Sequence, residues 1–173
     1  MSFDRYRLKN QIIAKIITRF PNLAERFINS HNPWISLDTP WTAVKKALSD
    51  SKVAMVTTAG LHHTDQDRFD MRDPDGDPSF RVLDLNKPLS TLMITHDYYD
   101  HADADKDINI VFPVERLKEF ENERIIGQLA DIHYGFMGHI TGRHIPTLVQ
   151  KNAPEVAQQL KKDLVDVVLL APG

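Results

Sequence analysis

Between two short apolar runs, the stretch Met93–Pro113 (MITHDYYDHADADKDINIVFP) packs two histidines, His96 and His101, with five aspartates, Asp97, Asp100, Asp103, Asp105 and Asp107. Imidazoles and short carboxylates are costly to crowd together unless a cation or a hydrogen-bond network holds them. This stretch is therefore expected to line any site the protein has. The ligand types suit zinc, iron or manganese. However, there is no HExxH pattern, His96 and His101 are five apart, and His62 and His63 are adjacent. The alternative is that these groups hydrogen-bond loop backbone. Asp103, Asp105 and Asp107 copy the first three ligand positions of an EF-hand loop. Ile108 then stands where glycine is needed, and Val114 where the closing glutamate is needed. Asp73, Asp75 and Asp77 fail similarly, with Gly76 misplaced. Capping of turns by aspartate accounts for both runs, and no metal is assigned.

The chain has no cysteine, which excludes disulfides, thiolate metal sites and cysteine nucleophiles within it. There is no GxSxG turn, and Ser79 and Ser90 have no evident base. Thr57-Thr58-Ala59-Gly60 offers either a simple turn or backbone amides for an anion, without a phosphate-loop lysine. Trp34 and Trp41 read as packing anchors rather than stacking platforms.

These residues need elements to place them. The 173 residues suit one domain with a substantial core, 42% hydrophobic and 26% charged. A net charge of −3 argues against nucleic acid or an anionic membrane as partner. No apolar run approaches the roughly 18 residues of a membrane span, and the N-terminus lacks the apolar core of a secretory signal. A cytoplasmic protein is expected.

Leu8, Ile12, Ile13, Ile16, Ile17 and Phe20 share one face of a predicted helix ended by Pro21. Asn22 could cap a second helix through Ile28. Thr39 and Pro40 read as the N-cap and first position of a third, carrying Val44, Ala47 and Leu48 inward. Residues 1–50 would thus form a helical arm and 51–173 an α/β domain. In the latter, strands are expected at 52–57, 92–95, 109–112, 132–140 and 166–170, with a long loop over 61–90. Helices are expected from Pro113 to about Asn122 and from a cap at Asn152. The alternation predicts a mainly parallel, Rossmann-like open sheet. The final strand has no following helix, so the chain looks cut short, with an open edge favouring a homo-oligomer. Ligands of such sheets bind beyond the carboxyl ends of strands, and six of the eight histidines fall near those ends: His62, His63, His96, His101, His139 and His144.

VAMVTTAGLH (53–62), FDMRDPDGDPSFRV (69–82), ITHDYYDHADADKDINIVFPVERL (94–117) and HYGFMGHI (133–140) resemble selenoprotein B of glycine, sarcosine and betaine reductases and the related D-proline reductase subunit. The likeness runs from about Trp41 to the C-terminus. It implies reductive cleavage of a carbon–nitrogen bond of a small amino-acid-derived substrate, with other reductase subunits as partners. A selenocysteine or cysteine attacks the substrate carbon and a nearby cysteine helps resolve the product. The family's reactive residue follows a strand like VDVVLLAPG, so it is expected just after Gly173, as though a UGA selenocysteine codon had been read as a stop. Selenocysteine is then the special group of the full-length protein, and the chain carries no cofactor of its own. Thr57, Thr58, His62, His96, Asp97, His101 and His139 are the expected site-lining residues. Two other readings stay open: a non-enzymatic ligand-binding protein on the same fold, and a metal-dependent hydrolase or lyase using the His/Asp cluster.

Overall fold

Lys52–Thr57 (β1) is an apolar run without polar alternation, as a strand covered on both faces requires; Val53, Ala54, Met55 and Thr57 are buried. The computed structural model describes residues 4–20, 22, 25 and 41–173, and in it β1 is the centre of a mixed α/β structure. The other elements in chain order are α1 (Arg5–Arg19), which precedes β1, then β2 (Leu61–His63), β3 (Arg81–Asp84), β4 (Leu92–Ile94), α2 (Val114–Asn122), β5 (Gln128–Leu129), β6 (Ile132–Gly135), α3 (Ala153–Lys162) and β7 (Val167–Ala171). One edge of β1 pairs in parallel with β5 at Lys52–Val53 and then with β6 at Val56–Thr57. The other edge pairs in parallel with β7 over Val53–Thr57. β3 joins β6 antiparallel, and β2 with β4 form a separate antiparallel ribbon. Parallel pairing is thus confined to the partners of β1, with β7 on the sheet edge.

Alternate residues of β1 serve two cores. Val53 and Met55 pack with Leu61, Leu83, Phe112 and the α2 residues Val114 and Leu117. Ala54 packs with Tyr134, Phe136 and the α3 residues Val156 and Leu160. Each fully buried Leu, Met or Phe contributes about 1.5–3 kcal/mol. Where β1 changes partner from β5 to β6, the Met55 N–H would be left without a bond. His133 Nδ1 accepts it at 2.8 Å. The other nitrogen, Nε2, has no partner among the described residues, and the ring abuts Phe112 edge-on.

Several expectations are corrected. Residues 41–47 are not helical, and only Leu48–Asp50 forms a single 3-10 turn; Trp41 is 88% exposed and anchors nothing. A short helix needs a face to bury, and neither Trp41 nor Val44 finds one. The expected helix at 22–28, beyond Asn22 and Glu25, and the cap at Thr39–Pro40 lie outside the described residues, as does Trp34. The 61–90 loop contains β2 and β3. Asn109–Phe112 is no strand: Asp107 accepts the Asn109 N–H and caps a 3-10 turn over Ile108–Ile110, which drives Phe112 into the core. Asn152 does not cap α3, because its backbone is already helical and continues from a turn at 145–152; its side chain instead donates to Pro78 O. The 166–170 strand exists as β7, yet Leu170 is 73% exposed on the sheet edge.

Asp4 caps α1 by accepting from the amides of Tyr6 and Arg7. Only Ala14 of this helix is buried, and Ile12, Ile13 and Ile16 stay substantially exposed. No helix among the described residues is long and apolar enough to cross a membrane.

Burial pushes His133 down to about 4 from its ordinary 6.5. Below pH 6.5 the unfolded chain binds a proton that the folded chain refuses, so stability is full above that pH and declines as pH falls toward about 4. The loss from this residue is roughly 3 kcal/mol. Urea midpoints at pH 7.5 and 4.5 measure it; equal midpoints would contradict a neutral, buried His133.

Candidate active site

The carboxyl ends of β1, β6 and β7 meet at one place. Thr58 N–H donates to Ala171 O at 3.1 Å, and Gly173 N–H donates to Thr58 Oγ1 at 3.2 Å, which draws the chain after β7 alongside the end of β1. The segment after β6 passes close by. A Cβ on Gly138 would stand 3.1 Å from Thr58 O, 3.3 Å from His96 Nε2 and 3.5 Å from Gly173 O, so three chain segments approach closely here and a larger residue would press on them by a few tenths of an ångström.

His96 follows β4 and is 4% exposed. Its Nε2 accepts the Gly138 N–H at 3.0 Å, and its Nδ1 lies 3.2 Å from Tyr98 N. A neutral imidazole carries one ring proton and cannot accept at both nitrogens; the shorter contact makes Nε2 the acceptor. Burial, reinforced by His139 and His101, pushes His96 down to about 4, so it stays neutral at physiological pH. Tyr99 packs edge-on against it, 4.8 Å between ring centroids, and donates its hydroxyl to Ala59 O. Tyr98 stacks on His139 at 3.9 Å. Burial raises both phenols well above their ordinary value, so they remain protonated.

These groups form one side of a cleft of about 370 Å³, and α1 forms the other with Asn10, Ile13, Ala14 and Ile17. Gly173 lines the same cleft. The helix is held there by Asp97, whose carboxylate is 1% exposed. It accepts from Arg7 Nε at 2.6 Å, Arg7 Nη2 at 3.0 Å and Gln11 Nε2 at 2.8 Å. The Tyr6 and Tyr98 hydroxyls approach to 3.3 Å, and Arg72 bonds Asp4 at 3.1 Å.

Of the residues expected to line a site, His96 and His139 do so, and Thr58 holds Gly173 at its edge. Asp97 does not line the cleft; its carboxylate is taken up by Arg7 and Gln11 of α1. His101 bonds Asp105 at 2.8 Å in a smaller hollow on the far side of Tyr99, shared with Gln11 and Lys15. Thr57 is buried, donating to Val111 O and accepting from Ala59 N. His62 is buried between His63 O and the Thr95 hydroxyl, and His63 bridges Thr91 and the Asp84 amide. Both pin the β2–β4 ribbon to its surroundings, and neither lines the cleft. The amides of Thr58, Ala59 and Gly60 bond within the fold, so this segment is a turn rather than an anion cradle.

The acidic run likewise caps turns. Asp100 accepts from Ala102 N and Asp107 from Asn109 N, while Asp73 holds the Asp75 amide, His144 and Arg143. No three His, Asp or Glu side chains converge as a metal site would need among the described residues. Sequence reasoning missed the contribution of α1. The available signal was a polar stripe, Asp4, Arg7 and Gln11, at helical spacing beside the apolar one.

A cleft beyond the carboxyl ends of parallel strands is where α/β proteins bind small ligands. Residues 33–172 match the model of the glycine/sarcosine/betaine reductase selenoprotein B family, and the chain belongs to that family, in line with the resemblance seen in the sequence. It is 41% identical over 133 residues to the D-proline reductase subunit gamma of Acetoanaerobium sticklandii, covering 77% of this chain and 53% of that one. It is 32% identical over 127 residues to the glycine reductase complex component B subunit gamma of Symbiobacterium thermophilum, covering 72% and 29%. For the betaine reductase complex component B subunit beta of Peptoclostridium acidaminophilum the identity is 29% over 127 residues, covering 72% and 28%. The chain thus spans about half the length of the first relative and under a third of the other two. No solved structure matches.

Arg7→Ala strands the Asp97 carboxylate. Breaking a buried pair costs about 3–5 kcal/mol. Because Arg7 is 35% exposed, water can partly replace it and the expected loss is nearer ~2 kcal/mol. Adding Asp97→Asn should recover much of that loss. Denaturation of the single and double variants tests this, and a double variant no better than Arg7→Ala would argue against a buried, charge-compensated Asp97.

Proposed function

We propose that this chain carries the substrate cleft of a selenoprotein B-family reductase that opens a D-proline-type amino acid at its carbon–nitrogen bond, with the nucleophile attached beyond Gly173. The observation that carries this reading is the position of Gly173 in the cleft wall, with His96 and Gly138. A residue joined to Gly173 at that point would enter the cleft. A continuation of this kind would also complete a Rossmann-like sheet beside β7. The 41% identity to a D-proline reductase subunit supports the substrate class. The relatives are named as subunits of reductases or reductase complexes, which supports assembly with further subunits.

A selenolate or thiolate, with a partner thiol, would supply the two electrons that turn C–N into C–H and N–H with uptake of two protons. This chain supplies the setting. His96, held neutral, accepts the Gly138 amide and fixes the tight passage beside Gly173. Tyr98 and Tyr99 keep their protons and present aromatic faces. His139, half-buried at the rim with its Nε2 bonded to Pro74 O, would present its ring to the departing nitrogen.

Two measurements test the proposal. The gene should continue past codon 173 through UGA into an in-frame, cysteine-bearing segment. The full-length selenoprotein, assembled with its partner subunits and a dithiol reductant, should convert D-proline to 5-aminopentanoate. An ordinary UAA or UAG stop, or D-proline left intact by the assembled protein, would overturn the reading.

A further inference from the structure

We infer that α1 determines substrate selection: its apolar residues Ile13, Ala14 and Ile17 and the amide of Asn10 fit the cleft to an amino acid with a hydrocarbon flank and against one without. This rests on reading the cleft as the reductase site. Helix α1 (Arg5–Arg19) lies outside the segment matched to the family model, residues 33–172, yet it supplies one wall of the cleft. The shared segment supplies His96, Tyr98, Tyr99, Gly138 and His139. Among the described residues the aliphatic side chains of the cleft, Ile13, Ala14 and Ile17, come from α1.

The chemistry of the wall sets the preference. Among the described residues no side chain lining the cleft is an Asp, Glu, Lys or Arg, and Arg7, one turn before Asn10, is bound to Asp97. A ligand in the cleft therefore gains chiefly from apolar contact with Ile13, Ala14 and Ile17. Each methylene matched or lost in such a pocket is worth about 10- to 200-fold in kcat/KM. A pyrrolidine ring offers three methylenes and glycine offers none beyond its reacting carbon. The ligand's carboxylate must be met by neutral donors. Asn10 Nδ2 is one, since it is buried and has no hydrogen-bond partner among the described residues. A buried amide left unmatched is unfavourable, and a carboxylate oxygen would match it after a small shift of the helix.

Such a shift is open to α1. Only Ala14 is buried, and the described hydrogen bonds to the body are at its N-terminal end, through Asp4, Tyr6, Arg7 and Gln11. Asp97 is in this sense a positioning residue: it touches no cleft atom but fixes the helix that does.

The test uses the assembled full-length enzyme with D-proline and glycine as competing substrates. Ile13→Ala and Ile17→Ala place alanine, a good helix former, at partly exposed positions, so the helix should persist, and circular dichroism checks it. Each should raise the KM for D-proline about tenfold or more with kcat little changed, lowering the D-proline to glycine selectivity by the same factor. Asn10→Ala should raise the KM for D-proline but not for D-prolinamide, which lacks the carboxylate. Unchanged KM and selectivity in an active enzyme would overturn the inference. An unmutated enzyme inactive on D-proline would instead overturn the functional reading beneath it.

Discussion

The constraint on which this structure depends is the hydrogen bonding of both edges of β1. Six residues bind three strands, and the ladder is continuous on one edge only. On the other, β5 ends before β6 begins, and the gap is closed by the imidazole of His133. A strand could not remain buried between two cores with that amide bare. Because β1 is fixed from both sides, Thr57 and Thr58 are fixed at its end, and Thr58 in turn gathers the segment after β7.

The adjacent pair His96–Asp97 shows how one short segment serves two purposes. The imidazole lines the cleft and accepts a backbone amide. The carboxylate collects three donors from α1 and so fixes the helix that forms the facing wall. Neither residue needs a metal to justify its burial. Of the aspartates that mark this region in the sequence, Asp100 and Asp107 accept from the amide two residues on. Asp97, Asp103 and Asp105 are taken up by the side chains of Arg7 and Gln11, of Lys106 and of His101.

Patterns that depend only on local chemistry were legible in the sequence. β1 read correctly because a six-residue apolar run has few other uses, and α2 because Pro113 precedes an amphipathic stretch. INIVF looked like a strand because apolar content alone does not separate a strand from a buried plug, and Asp107 decided the matter by capping a turn. β3 was missed because Arg81 and Asp84 make half of it polar; its partner β6 is some fifty residues further along. Histidines could be counted but not sorted. The sequence holds no mark that separates His62, fixed by the Thr95 hydroxyl, from His96, fixed at a cleft. The role of α1 was hidden for the same reason, since periodicity identifies a face but not what the face meets.

Among the described residues the outer edge of β7 has no strand partner, which makes its amides distinguishable one by one. Thr58 N–H donates to Ala171 O, and in a parallel ladder successive amides of one strand point to opposite sides. In the register Val53–Val167 to Thr57–Ala171 the amides of Val167, Leu169 and Ala171 therefore face β1, while those of Val168 and Leu170 face outward. Within one five-residue strand, deuterium should enter in alternation, slowly at every second position and quickly between. Any chain that adds itself to that edge would slow the fast set alone, so isotope uptake along β7 reads out its occupancy residue by residue.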